Sequence, residues 1–125
     1  MNLGYVAIHD GRAGDARELL AEAAAIFDRL DDGDAVAIGL AGLAAVAPAP
    51  DAAARLLGAA QARRSASAHV DAFEPELPET AAREARAALG ADVFEPAFAE
   101  GAGLALEDAL ALVGASLGKP AQHRA

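Results

Sequence analysis

Asp51-Ala-Ala-Ala-Arg-Leu-Leu-Gly-Ala-Ala-Gln-Ala-Arg-Arg64 is the stretch that decides the fold of this chain. Its apolar residues recur at i, i+3, i+4 and i+7, and they are Ala53, Leu56, Leu57 and Ala60. This spacing places them on one face of an α-helix, where they form an apolar stripe. Asp51 is a suitable N-cap, and the helix is predicted to continue to about His69.

An earlier segment repeats this pattern at a constant offset. Leu3, Ala7, Ala16, Leu19, Leu20 and Ala23 match Leu40, Ala44, Ala53, Leu56, Leu57 and Ala60. Each unit is a helix, a turn and a second helix, close in length to the tetratricopeptide unit of about 34 residues. One such pair cannot bury its own apolar stripe, so we expect residues 1–31 and 34–69 to stack as neighbouring helix pairs.

Two helices are predicted ahead of the central run. Residues 1–10 indicate a short helix that ends at Gly11, because glycine favours a tight turn. Asp15 begins or caps an amphipathic helix that reaches Leu30. A turn rich in aspartate follows over residues 31–34.

Residues 35–47 are apolar on every side, which predicts a helix buried between neighbours. A buried strand is the alternative, but alanine and glycine are poor strand formers and the run is long for a strand. Asp34 is the candidate N-cap of this helix. Pro48 and Pro50 would end it, because proline cannot continue a helix.

Capping helices are predicted over residues 79–117, after a loop at residues 71–78 that holds two prolines. The first of them ends at Gly90, and Glu79 and Arg83 stand four apart as a candidate ion pair. The second begins with the capping-box spacing of Asp92-Val-Phe-Glu95, which leaves Pro96 near its first turn. Its Phe94 and Phe98 share one face. A break at Gly101-Ala-Gly103 precedes a last helix with the stripe Leu106, Leu110, Val113 and Leu117.

These patterns predict one all-α domain over residues 1–118, a tetratricopeptide-like α-solenoid of about seven helices with a flexible tail at residues 119–125. The composition agrees, since 54% of the 125 residues are hydrophobic, mostly alanine, and only 4% are aromatic. The net charge of −9 argues against direct binding of nucleic acid, which needs a basic surface. No apolar run approaches the roughly 20 residues of a membrane span, and the absence of cysteine fits a cytoplasmic protein.

The segment Ala-Ala-Ala-Arg-Leu-Leu-Gly-Ala-Ala-Gln-Ala-Arg-Arg at residues 52–64 resembles a known protein family. It is similar to the C-terminal tetratricopeptide-like region of large bacterial ATP-dependent transcriptional regulators of the MalT-like and LuxR type. The likeness continues through residues 2–4, 16–20, 77–80, 85–90, 94–101 and 106–112. The resemblance implies a sensor arm or protein-interaction surface, with an ATPase domain and a DNA-binding domain elsewhere. Pro96 and Ala105 depart from the family pattern at two helix starts.

Side chains able to carry catalysis are few. The hydroxyl nucleophiles are Ser65, Ser67, Thr80 and Ser116, and there is no cysteine. His69 lies near two of these serines, but neighbours at i and i+2 point apart on a helix. A metal site from His69, Asp71, Glu74 and Glu76 competes with the simpler interpretation of a polar loop. We therefore predict no enzyme activity, no cofactor and no metal.

Tetratricopeptide geometry predicts a concave wall built from the first helix of each pair. That wall would present Tyr5, Ile8, His9, Ile38, Gly42 and Ala45. It is mostly apolar and lacks a basic clamp, so it would suit an apolar helix or a small ligand. The leading hypothesis is a protein-interaction module that serves a partner or the rest of a larger regulator, with self-association through the N-terminal helix face. The alternative is a sensor domain that binds a small effector in an apolar pocket.

Overall fold

A computed structural model describes residues 11–64 and 76–114 of the chain. These ranges contain six helices packed against one another and no strand, which confirms the all-α prediction. The helices are α1 (Ala13–Arg29), α2 (Gly33–Ala45), α3 (Pro50–Arg63), α4 (Glu76–Leu89), α5 (Ala91–Ala102) and α6 (Leu106–Ala111). The predicted helix over residues 1–10, most of the predicted loop at residues 71–78 and the predicted tail lie outside the described residues.

The decisive stretch forms α3, which lies at the centre of the fold. It packs against α2, α4, α5 and α6, whereas α1 packs against α2. The largest side chains with almost no exposure are Leu20, Val36, Leu40, Leu43, Leu56 and Leu110. Leu57 is also buried, so both leucines of the α3 stripe lie in the core, as the spacing predicted.

The apolar run forms the helix α2, so the alternative of a buried strand is wrong. The predicted cap is also wrong, because Asp32 caps this helix and Asp34 lies in its first turn. The Asp32 Oδ1 atom accepts a hydrogen bond of 3.1 Å from the backbone N–H of Ala35. The helix can therefore begin at Gly33, while Asp31 takes a left-handed turn conformation with φ of 60°.

Proline, not aspartate, sets the start of α3. Pro50 occupies the first helical position after the N-cap residue Ala49, which corrects the prediction that Asp51 is the cap. Proline suits this position because its φ is preset and its missing N–H would have no partner there. Asp51 instead accepts a 2.8 Å hydrogen bond from Arg55 Nη1. The helix ends at Arg63, earlier than predicted, because the backbone of Arg64 is extended.

The helix α4 begins at Glu76, three residues before the predicted start. Pro78 falls in its first turn, where the N–H groups have no intrahelical acceptor and proline is tolerated. The predicted pair between Glu79 and Arg83 does not form. Arg83 Nη2 instead donates to Thr80 Oγ1 at 3.3 Å.

A glycine joint connects α4 to α5. Gly90 ends α4, as predicted, and also serves as the N-cap residue of α5 with φ of 81° and ψ of 154°. The capping box predicted from Asp92 is therefore wrong, and its Glu95 accepts a 2.6 Å hydrogen bond from Arg86 Nη1. Pro96 lies inside the helix, beyond its first turn.

The aromatic residues of α5 share one face, as their spacing predicted. The rings of Phe94 and Phe98 lie 5.9 Å apart between centroids, tilted by 31°. Phe94 is buried, and the Arg86 guanidinium lies 4.3 Å from the centroid of its ring. This contact joins the end of α4 to the start of α5.

The predicted break over residues 101–103 is confirmed at its end, because α5 ends at Ala102 and Gly103 is its C-cap residue, whereas Gly101 still lies within the helix. Gly101 is buried against α3: a Cβ atom added there would lie 2.6 Å from the Cα atom of Arg55 and would overlap its carbonyl oxygen. An added Cβ atom on Gly58 of α3 would likewise overlap the carbonyl oxygen of Phe98. The two helices thus touch through their backbones at glycine positions.

The last described helix is shorter than predicted. It ends at Ala111, and Leu106, Ala109 and Leu110 are its buried residues. Val113 is half-buried in the turns that follow, and Leu117 of the predicted stripe lies outside the described residues. An arginine ties this region to α3, since Arg63 Nη2 donates to the carbonyl oxygen of Leu104 at 3.2 Å.

Candidate functional site

A groove of about 300 Å³ lies between α4 and the connection from α2 to α3. Its lining residues are Ala44, Ala45, Ala47, Pro48, Ala49, Pro50, Ala53, Ala81, Glu84, Ala85 and Ala88. Ten of these eleven side chains belong to alanine or proline. The groove therefore combines a small-residue surface with one ionisable group, the carboxylate of Glu84.

One wall of the groove is a face of α4. Ala81, Glu84, Ala85 and Ala88 follow the i, i+3, i+4, i+7 spacing that places residues on one side of a helix. Ala81 and Ala85 are buried at the base, whereas Glu84 and Ala88 are exposed. The carboxylate thus stands at the exposed edge of an alanine surface.

The opposite wall is the end of α2 and the segment that leads to α3. The backbone N–H groups of Val46 and Ala47 close the helix end on the carbonyl oxygens of Leu43 and Ala44. Pro48 and Pro50 contribute no N–H group to this wall. No basic residue lies in the last turn of α2 to complement the negative end of the helix dipole.

A guanidinium group from α1 binds at this same helix end. Arg17 Nη1 donates a 2.9 Å hydrogen bond to the carbonyl oxygen of Val46. Neither residue lines the groove, so this contact fixes α1 to the end of α2 without filling the cleft. The end of α2 is a place where the chain itself already accommodates a cation.

A second depression, of about 330 Å³, lies between α3 and α5. It is lined by Asp51, Arg55, Asp92, Val93, Pro96, Ala97 and Glu100. The Arg55 Nε atom donates to Glu100 Oε1, and this hydrogen bond raises the pKa of the guanidinium above its usual value. Burial of the side chain opposes the rise in pKa, and Asp51 adds to it. The charged groups of this depression are therefore largely occupied with one another.

Only some of the residues that the sequence predicted to form a concave wall lie in described parts of the chain, and fewer of them line the groove. Tyr5, Ile8 and His9 lie outside the described residues. Ile38 and Ala45 are half-buried and Gly42 is buried. Of these three, Ala45 alone lines the groove.

Glu84 was not singled out from the sequence. A signal existed, because it is the one charged residue on an i, i+3, i+4, i+7 stripe of alanines in α4. The arginines of the decisive stretch also have structural roles: Arg55 pairs with acidic residues and Arg63 binds backbone carbonyls.

Two general absences hold for the part of the chain that the structure describes. No cluster of three or more histidine, cysteine, aspartate or glutamate side chains there could hold a metal ion. Within the same ranges, no helix combines the length and the apolar character needed to cross a membrane. The histidines considered as ligands, His9 and His69, lie outside the described residues.

Within the described residues, the fold and the groove define a small all-helical protein with an alanine-rich core and an open cleft lined mainly by alanine and proline. No protein-family model matches the chain, and comparisons with curated proteins and with solved structures gave no match either.

Proposed function

We propose that this chain is a non-enzymatic helical-repeat module that binds a segment of a protein partner in the groove between α4 and the α2–α3 connection. The observation that carries the proposal is the lining of small apolar side chains in a cleft that is open to solvent. Alanine and proline expose backbone and allow a partner helix or extended segment to approach closely. The lining supplies no hydroxyl or thiol nucleophile, and no general base beside the Glu84 carboxylate, which favours binding over covalent chemistry.

Stacked repeats of tetratricopeptide type are the architecture that we propose for the module. Contacts between α1 and α2, α2 and α3, α2 and α4, and α3 and α5 support stacking in chain order. The repeat offset that relates Ala16 to Ala53 also relates the first residues of α1 and α3, Ala13 and Pro50. Both members of the matched pair Leu20 and Leu57 are buried.

We also propose that the module is the regulatory or sensor part of a cytoplasmic bacterial transcriptional regulator, or a relative of such a part. The resemblance of residues 52–64 to that family supports this, and the acidic net charge of −9 disfavours direct contact with nucleic acid. The neighbouring coding sequence tests it. A phosphate loop and a DNA-binding domain encoded there would support the proposal, and unrelated metabolic genes would count against it.

A sensor domain for a small apolar effector is the second candidate. The volume of about 300 Å³ favours it, because it reaches the lower end of the range for small-molecule sites. An effector that binds the groove would raise the melting temperature of the wild-type chain, and the stabilisation would grow with the logarithm of its concentration above the Kd. Such a shift with small apolar compounds, in the absence of any peptide ligand, would favour the sensor over the interaction module.

Panning a random linear peptide library on the immobilised full chain tests the interaction module. Enriched peptides are then synthesised, and their affinities are measured by fluorescence anisotropy on two variants of α4. Ala88→Trp fills the groove from an exposed position, and Ala87→Trp places the same side chain at an exposed position that does not line it. We expect Ala88→Trp to abolish binding and Ala87→Trp to preserve it. Equal binding by both variants, or no enriched peptide, would refute the proposed site.

A further inference from the structure

We propose that the groove selects partner segments that carry an arginine or lysine side chain, with Glu84 as the counter-charge. This inference rests on the proposed function and names the chemistry of the partner. A cationic side chain would lay its aliphatic stem on the alanines of α4 and reach the Glu84 carboxylate with its charged end.

Glu84 is the first observation that leads to this partner. Its side chain is exposed at the edge of the groove and makes no hydrogen bond or ion pair with another residue of the described ranges. Other carboxylates near arginines are engaged, as Glu95 is with Arg86 and Glu100 is with Arg55. As far as the described residues line it, the groove thus holds a carboxylate with free acceptor capacity and no cationic side chain.

The opposite wall is the second, independent observation. The end of α2 carries the negative end of a helix dipole, and the last turn of that helix has no basic residue. The two prolines of the wall lack N–H groups, which leaves it poorer in donors than an ordinary backbone segment. Arg17 already donates to the Val46 carbonyl at this helix end, outside the groove, so the dipole is partly compensated there and Glu84 supplies the negative charge that the groove offers to a partner.

The two walls also argue against other occupants. An acidic segment would bring a negative charge to Glu84 and to the end of α2, and like charges repel. A wholly apolar segment would cover the Glu84 carboxylate without replacing its hydrogen bonds to water, which is costly. An arginine or lysine side chain donates hydrogen bonds to the Glu84 carboxylate, and its aliphatic stem covers the alanine surface in the same binding mode.

Peptides obtained by panning the full chain are the probes for this inference. We expect them to contain arginine or lysine, and replacement of that residue by glutamine should weaken binding about tenfold. Glu84→Gln in the protein should weaken binding by the same factor. Glu79→Gln is the matched control, since Glu79 is exposed on α4, lies outside the groove and pairs with no other described residue, and it should change affinity less than about twofold.

A charge exchange separates recognition from loss of structure. Glu84→Arg should abolish binding of the cationic peptide and restore binding when the peptide cation is replaced by glutamate. Peptides that Ala88→Trp displaces but that lack a cation and ignore Glu84→Gln would overturn this inference and leave the proposed groove intact. Peptides that Ala88→Trp does not displace would overturn the proposed function itself, and with it this inference.

Discussion

Gly58 of α3 and Gly101 of α5 bring the backbones of their two helices into contact. A Cβ atom added to Gly58 would lie 2.9 Å from the carbonyl carbon of Phe98, and one added to Gly101 would lie 2.6 Å from the Cα atom of Arg55. Each glycine therefore faces backbone, which cannot move aside as a flexible side chain would. The contact fixes the separation of the two helices.

Gly101→Ala is expected to destabilise the fold by about 1–3 kcal/mol or more, because the helices must separate to admit the methyl group. This cost exceeds the gain of about 1 kcal/mol that alanine brings to a helix interior. Urea unfolding followed by circular dichroism measures the change. Gly14→Ala is the control, since nothing lies within 4 Å of a Cβ atom there, and it should be neutral or stabilising. Equal stability of the two variants would contradict the backbone contact.

Leu57→Ala should cost about 2–5 kcal/mol of unfolding free energy, because it truncates a buried side chain of the central helix. Leu30→Ala offers the comparison, since Leu30 is 68% exposed at the end of α1, and its loss should cost less than about 0.5 kcal/mol. Urea unfolding followed by circular dichroism measures both changes in unfolding free energy. A cost for Leu57→Ala as small as that for Leu30→Ala would show that the α3 stripe faces solvent.

Arg63→Ala should destabilise the fold by about 1–2 kcal/mol, because its half-buried guanidinium holds the carbonyl oxygens of Ala59 and Leu104. Arg63→Lys should recover little of the lost stability, since an ammonium group cannot reproduce the fixed geometry with which a guanidinium binds two carbonyl oxygens. Arg29→Ala, at an exposed position, serves as the reference variant in thermal melts. Full recovery by lysine would mean that charge alone, and not the paired hydrogen bonds, matters here.

Gly90→Ala should cost about 1–3 kcal/mol, because φ of 81° with ψ of 154° is a backbone region almost restricted to glycine. Nothing lies within 4 Å of a Cβ atom at Gly90, so the cost would come from the backbone and not from a clash. Replacement by a D-alanine through chemical ligation should retain wild-type stability, since a D-residue adopts this φ without strain. Loss of stability in the D-alanine protein would point to a steric cause instead.

The helices could be predicted because the periodicity that forms them is local. The apolar stripe of residues 51–64 and the uniform run of residues 35–47 each specify a helix without reference to the rest of the chain. Helix starts were less predictable. Asp32 and Asp34 are both acceptable caps, and a cap is worth only about 1 kcal/mol, so the choice depends on the surrounding turn.

Features that depend on distant contacts were not predictable from local patterns. Gly101 was assigned to the break over residues 101–103 because glycine is a poor helix former, whereas its place inside α5 depends on a backbone contact with Arg55, which is remote in sequence. The groove was missed for the same reason, since it forms only when α4 packs beside the α2–α3 connection. Of the predicted wall residues within the described ranges, Ala45 reaches the groove because it lies at the end of α2 next to that connection.

Alanine fills much of the interior of this protein, and α3 alone buries Ala52, Ala53, Ala54, Ala59 and Ala60. An alanine side chain has no rotamers to lose, so ordering it on folding carries no side-chain entropy penalty. Each alanine also removes little apolar area from water, so it contributes less hydrophobic free energy than a leucine would. The low entropy cost of ordering alanine therefore offsets the smaller hydrophobic free energy that this interior gains from its buried surface. We expect its unfolding to show a smaller heat-capacity change than that of a leucine-rich helical protein of the same length.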